Sequence, residues 1–519
     1  MRRGVSVVNK KVCSFPILFA LLALLIGTCA VVFPASAQAA PTSTGSITVS
    51  GTVASSYDAY QIFSANVIDG DNDAKIATDL AWVSDAVRDA ALPVLHSAGM
   101  SKSQTTAQEA AEWLNNDSHL TSALSAQLAR SLQSSVAVSE ALKAGTTAEL
   151  PCGYWLIVAD DDAISQGEAG TAPIMVLVGG SAVTVKPKAA TPKVFKHVLE
   201  DSAVAWQKAA DATVGDDLYW RLSATVPAGL AAYDTYAVQF VDTMSAGLDP
   251  SKVAASMRVY VAAGADGGFD AVQTGKDGRV GTEPAKGWTD ITAQCGVSVD
   301  GKTFTVRTGD LIAALGGADA FTAGARVVAV YNAPLNSACN HGIAKGNPNE
   351  VYLRYPRSPF ADQSGDAGFA RTPSDDACAY TWDLALTKRG SDGDKPLAGA
   401  VLSIADDRGR TLAADGTWDA EGKATVTTGE DGRVTVSGVD SGKLEVRELK
   451  APKGYTAFEG SRSVTVKAEG LDVDQVAAAK PKLTITAESP LRADSADGST
   501  GSLEASIINT PTGTPPSIT

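Results

Sequence analysis

Three segments near the C-terminal end carry a reactive side chain in the same alternating phase as apolar residues. Leu384, Leu386 and Lys388 share one phase, as do Leu444, Val446 and Glu448, and so do Leu503, Ala505, Ile507 and Asn509. Side chains two apart on a strand point the same way, so the amine, the carboxyl group and the amide are each directed where the leucines and valines go. Burying any of them alone is costly. Buried together they can react: desolvation lowers a lysine pKa and raises a carboxylic one. The neutral amine can then attack the Asn509 carbonyl while Glu448 shuttles protons, expelling ammonia and leaving a Lys-Asn isopeptide bond. Phase alone also admits a plainer arrangement, a Lys388–Glu448 ion pair beside an unrelated edge asparagine.

For those side chains to meet, the segments must be strands of one sandwich, and the rest of the chain supports that. Its 519 residues are 45% apolar and 19% charged, enough for about three folded domains. Residues 1–40 hold basic residues, an apolar run from Phe15 to Phe33 and the small-x-small Ala37-Gln38-Ala39, which reads as a cleaved signal peptide, with an uncleaved signal anchor as the alternative. Residues 41–185 combine strand-like runs at Ile47–Val53, Tyr57–Phe63, Tyr154–Val158 and Ile174–Val178 with a helical insertion. There Thr106 to Glu109 fits a capping box, and Leu120, Leu124, Leu128 and Leu132 recur on one helical face. Residues 186–193 are a Pro/Lys/Ala linker. Residues 194–376 and 377–510 read as two all-β sandwiches separated by Gly/Asp-rich turns, and 511–519 as a disordered Pro/Thr-rich tail. The expected fold is mainly β: tandem immunoglobulin-like sandwiches behind an N-terminal mixed α+β domain.

The segment LEVRELKAPKGY, Leu444 to Tyr455, resembles the E-box of Cna-B-type domains in Gram-positive surface proteins, YxLxETxAPxGY. Glu448, Ala451, Pro452, Gly454 and Tyr455 match, while Leu444, Val446 and Leu449 replace the usual Tyr, Leu and Thr. That resemblance implies Lys388, Glu448 and Asn509 as a bond-forming triad, with Glu448 catalytic. Further segments, SGTVASSYDAYQIFSA (Ser50–Ala65), GYWLIVADD (Gly153–Asp161), VGDDLYW (Val214–Trp220), FVDTMSAGLD (Phe240–Asp249) and GNPNEVYLRY (Gly346–Tyr355), extend the likeness to backbone subunits of sortase-assembled pili. It implies a secreted, cell-wall-linked fimbrial shaft protein, not an enzyme beyond its own autocatalytic cross-linking and needing no cofactor. The implied partners are a pilin-specific sortase and identical subunits, with ancillary pilins and peptidoglycan as further ones and no host ligand identifiable. The pilin motif falls on Val185-Lys186-Pro187-Lys188, which implies Lys188 as the sortase-linked lysine, with Lys186 and Lys193 as the nearby alternatives. An ancillary pilin and a monomeric secreted adhesin on Cna-B stalks are the alternatives.

The middle domain departs from that pattern. Lys196 shares a phase with Val194 and Val198, and Asp242 with Val238 and Phe240, resembling the family's lysine and catalytic aspartate. Where relatives carry YSNNP this chain reads Tyr355-Pro356-Arg357-Ser358-Pro359, with Arg357 in the inward phase of Val351, Leu353 and Tyr355. The expectation is therefore a vestigial site without an isopeptide bond, Asp242 pairing with Lys196 or Arg357. A disulfide among Cys295, Cys339 and Cys378 is expected to replace the tie, leaving Cys152 over; a thioester at Cys152 is the adhesin alternative. No LPxTG-like signal precedes Thr519, and truncation is expected rather than a subunit unable to propagate a fibre.

Other chemistries fit poorly. The net charge of −15 argues against binding nucleic acid through its phosphates. His96, His119, His197 and His341 have no metal-ligand spacing, so no metal is expected. Asp69-Gly70-Asp71-Asn72-Asp73 begins like a calcium loop but has Ala74 and Leu80 where glycine and glutamate are needed.

Overall fold

A computed structural model describes residues 43–70, 74–116, 118–187, 191–276 and 278–513. The expected signal peptide, Lys188, most of the acidic 69–73 turn and the end of the tail lie outside them. The described chain is mainly β and divides into two compact units. One holds residues 43–52, Ser56–Asp160 and Ala172–Pro187; the other holds residues 191 onward with Val53–Ser55 and Asp161–Thr171.

In the first unit the long Ser56–Asp69 strand pairs with Lys75–Trp82, Glu140–Lys143 and Gly153–Ala159, which in turn pairs with Ile174–Val178. Helices Asp85–Ser97, Ala107–Leu114 and Ser122–Ser135 are inserted between strands. The Thr106/Glu109 capping box opens the second helix, and Leu124, Leu128 and Leu132 are buried along the third. Among the described residues no helix is long and apolar enough to cross a membrane.

The second unit holds both sandwiches. In the middle one, a sheet built on Lys193–Glu200, Tyr219–Val226, Ala325–Asn332 and Arg258–Ala263 and a sheet built on Asp375–Tyr380, Asn347–Pro356, Gln239–Met244 and Thr303–Arg307 enclose Trp220, Leu222, Phe240, Phe304, Val327 and Leu353. Two boundaries differ from expectation. Strand Asp375–Tyr380 pairs with Asn347–Val351 and so belongs to the middle domain, because backbone pairing overrides the polar composition that suggested a break at 376. Asp161–Thr171 also joins this unit: Gly170 N–H donates to Arg357 O at 2.7 Å and Tyr355 OH to Gly167 O at 2.8 Å.

The last sandwich opens with Trp382–Gly390 and closes with Ser502–Pro511. These strands are parallel neighbours, pairing Leu384 with Leu503 and Lys388 with Ile507. The facing sheet contains Val401–Ala405, Gly442–Lys450 and Ser461–Glu469. The seam between the two sandwiches is acidic. Asp211 accepts hydrogen bonds from Trp382 Nε1 (2.6 Å) and Ser441 N (2.8 Å), and its own N–H donates to Glu200. The same Ser441 N–H also reaches Asp440 Oδ1 at 2.7 Å. Burial and the neighbouring Asp211 push Glu200 up to about 8.

Candidate functional site

Lys388 is directed inward by its alternation with Leu384 and Leu386; all three are fully buried. Glu448 follows Leu444 and Val446 in the strand of the opposite sheet, and Asn509 closes the phase of Leu503, Ala505 and Ile507. The three meet. Lys388 Nζ donates to Asn509 Oδ1 and lies 3.0 Å from Glu448 Oε1, and Asn509 Nδ2 donates to that same Oε1 at 2.8 Å. The second oxygen of Glu448 accepts from Phe458 N–H at 3.1 Å, and the Phe458 ring lies 5.6 Å from the amine. Burial lowers the Lys388 pKa to about 8, against the opposing pull of Glu448. An amine that releases its proton readily, an amide carbonyl in contact with it, and one carboxylate oxygen touching both nitrogens are the parts that amide exchange needs.

The middle domain carries a second cluster. Lys196, opposite Leu222 in its sheet, forms a fully buried ion pair with Asp242 of the facing sheet. Arg357 does not join them, contrary to the expected phase. The strand ends at Pro356, and Arg357 just beyond it is half-buried with Nη1 3.4 Å from the Asp161 carbonyl. The expected Asp242–Lys196 pair is thus present, and a buried amide that the 355–359 segment lacks is found at Asn349, fully buried on the same strand as Val351 and Leu353. Its Nδ2 donates to Tyr331 OH at 2.8 Å. Tyr331 OH is 2.9 Å from Lys196 Nζ and donates to Asp242 Oδ2 at 3.1 Å. Asn349 Oδ1 is buried without a hydrogen-bond partner among the described residues. Desolvation lowers Lys196 to about 8 and raises Asp242, opposed by Lys196, Tyr331 and Asn349. Asn349 lies outside the segment that corresponds to YSNNP; its phase, two residues before Val351 and four before Leu353, is the sequence signal that marks it.

The expected disulfide is also corrected. Cys152, Cys295, Cys339 and Cys378 are all free, because each of the three thiols in question is directed at a different neighbour. Cys295 Sγ donates to Ile291 O (3.3 Å), Cys339 Sγ is 3.6 Å from His341 Nε2, and Cys378 Sγ donates to Ala379 O (3.7 Å). Among the described residues no group of three or more His, Cys, Asp or Glu side chains is arranged to hold a metal ion.

Residues 383–480 match the SpaA prealbumin-like fold domain. A stretch of 143 residues is 29% identical to the trypsin-resistant surface T6 protein of Streptococcus pyogenes serotype M6, covering 26% of this chain and 24% of the relative. The chain thus spans about a quarter of the length of that curated relative. Among solved structures, the T6 backbone pilin of S. pyogenes superposes with a TM-score of 0.47 at 17% identity, covering 91% of this chain and 98% of its own. The full-length major pilin SpaD of Corynebacterium diphtheriae gives 0.44 at 15% identity, with 91% and 98% covered. The C. diphtheriae major pilin SpaA gives 0.39 at 14% identity, with 90% and 100% covered.

Proposed function

We propose that this chain, whose residues 383–480 form a SpaA-type prealbumin-like domain, is a structural subunit of a Gram-positive surface pilus that strengthens itself with intramolecular Lys-Asn bonds. The observation that carries the proposal is the contact of Lys388, Glu448 and Asn509 in an interior that excludes water. Neutral Lys388 attacks Asn509 Cγ. Glu448 takes the surplus proton from Nζ and returns it to Nδ2, the Cγ–Nδ2 bond breaks, and ammonia leaves. Holding the reacting groups in contact supplies much of the rate, since an intramolecular pair needs no further encounter. The product would fasten the first strand of the domain to the last, over a separation of 121 residues. By the same chemistry Lys196 and Asn349, with Asp242 as the carboxylate, form the corresponding bond in the middle domain.

Polymerisation is the second part of the proposal. A pilin-specific sortase joins Lys188 of one subunit to the C-terminal end of the next, the subunits lie at the cell surface, and the chain serves as the shaft. Intact mass measurement of the exported protein tests the first part: two ammonia masses are expected to be missing, one from each sandwich, and cross-linked peptides should join Lys388 to Asn509 and Lys196 to Asn349. An unmodified mass refutes it. Detergent-resistant ladders of this chain in wall extracts, abolished by Lys188→Arg, test the second; ladders unchanged in that variant would exclude Lys188 as the linkage.

A further inference from the structure

The two buried clusters differ in how their carboxylate reaches the amide. In the last domain Glu448 Oε1 touches both nitrogens, at 3.0 Å from Lys388 Nζ and 2.8 Å from Asn509 Nδ2. In the middle domain the acid is Asp242, one methylene shorter. Its Oδ2 pairs with Lys196; Asn349 is near enough to hold the Asp242 pKa down, but the hydrogen bond from Asn349 Nδ2 goes to Tyr331 OH at 2.8 Å. That hydroxyl is in turn 3.1 Å from Asp242 Oδ2 and 2.9 Å from Lys196 Nζ. Tyr331 is fully buried on the Ala325–Asn332 strand, its ring packed edge-on against Phe304, so the hydroxyl is fixed in place. Burial also holds its pKa well above the usual phenol value, which keeps it a proton donor. The last domain has an aromatic ring near its amine too, but that ring is Phe458 and has no hydroxyl.

We propose that Tyr331 is a catalytic residue of the Lys196–Asn349 bond, a phenol relay that extends the short Asp242 side chain to the departing amide nitrogen. The inference rests on the reading that this domain forms the bond. Lys196 Nζ, neutral, attacks Asn349 Cγ, and the new Nζ–Cγ bond leaves a surplus proton on Nζ that passes to Asp242 Oδ2. Once Cγ is tetrahedral the Nδ2 lone pair is no longer delocalised, and the hydrogen bond with Tyr331 reverses direction. Tyr331 gives its hydroxyl proton to Nδ2 and recovers one from Asp242. The Cγ–Nδ2 bond breaks, ammonia leaves, and Asp242 and Tyr331 end as they began.

The test follows bond formation in full-length chain made by cell-free synthesis, quenched in acid at intervals and mapped by mass for the two cross-linked peptides. In Tyr331→Phe the Lys196–Asn349 peptide is expected to form on the order of a hundredfold more slowly, the scale of a positioned general acid. The Lys388–Asn509 peptide in the same molecules should keep its wild-type rate, which also reports that the chain has folded. The double variant Asp242→Glu/Tyr331→Phe should recover much of the loss, because glutamate reaches both nitrogens as Glu448 does. An unchanged rate in Tyr331→Phe, or no recovery in the double variant, overturns the relay. Absence of the Lys196–Asn349 peptide from the wild-type chain, with the Lys388–Asn509 peptide present, overturns instead the reading beneath it and the relay with it.

Discussion

In the last sandwich the amine and the amide stand on adjacent parallel strands of one sheet, Lys388 beside Ile507 and Gly390 beside Asn509. In the middle sandwich Lys196 belongs to one sheet and Asn349 to the other. A bond at the first site would resist sliding of the first strand along the last, where each ladder hydrogen bond contributes only about 1 kcal/mol net. A bond at the second would resist parting of the two sheets, which packing and the buried Lys196–Asp242 and Tyr331–Asn349 contacts otherwise oppose. The carboxylates differ accordingly: Glu448 reaches across from the facing sheet to both nitrogens, whereas Asp242 already lies on the sheet of Asn349 and pairs across the gap with Lys196. The comparison teaches that a lysine, an acid and an amide can be gathered in a dry interior from either geometry, directly in the last sandwich and around a tyrosine hydroxyl in the middle one.

The largest effect that would break this comparison is expected from Lys196→Ala. It removes the proposed middle-domain bond and, unlike Asn349→Ala, leaves no amine to pair with the buried Asp242, a difference between the two variants of about 3–5 kcal/mol. Denaturant unfolding of that variant should show a larger loss than Asn349→Ala, which removes the bond and keeps the ion pair. Equal losses would mean that the ion pair contributes nothing. Next comes Asn509→Ala, which opens a loop of 121 residues in the unfolded chain and should cost about 5 kcal/mol by loop entropy. The variant should also lose protease resistance in the last domain, with the middle domain unaffected. A wild-type protease pattern would show that no tie exists there.

Acidity sharpens the likeness between the two sites. Both amines are lowered by burial to about 8, so the neutral fraction, and with it the rate of ammonia release, should climb as pH rises from 6 and level off above about 8 in both domains. A flat profile between pH 6 and 9 would mean that amine deprotonation does not control the reaction. The smallest expected effect lies in the seam that joins the two sandwiches. Glu200 is raised from 4.5 to about 8 in the folded protein, so the folded state holds its proton where the unfolded state has lost it. Its contribution therefore favours folding at the acid end and turns against it as pH rises from about 4.5 to 8. Glu200→Gln should raise the melting temperature at pH 8 more than at pH 5; a uniform shift would place the proton elsewhere.

Much of the last domain's site was legible in the residues. The alternations Leu384-Leu386-Lys388, Leu444-Val446-Glu448 and Leu503-Ala505-Ile507-Asn509 put each group inward, because a strand's side-chain direction repeats every second residue whatever lies around it. The Thr106/Glu109 capping box and the buried leucines of helix Ser122–Ser135 were legible for the same reason: they are local geometry. The middle domain was read less well. Arg357 shares a phase with Tyr355, but the strand stops at Pro356, and the same phase also contains Asn349, which a local period cannot rank above Arg357.

What the chain by itself determined, then, is which side chains face inward, since that depends on a few bonds of backbone. Which inward side chains touch was decided only by the tertiary structure. Register and sheet packing brought Tyr331 to Lys196 and Asn349 to Tyr331, turned Cys295, Cys339 and Cys378 toward separate neighbours, and carried strand Asp375–Tyr380 across the expected domain boundary. Contacts between residues far apart in sequence depend on all the pairings between them, and no local period encodes that sum.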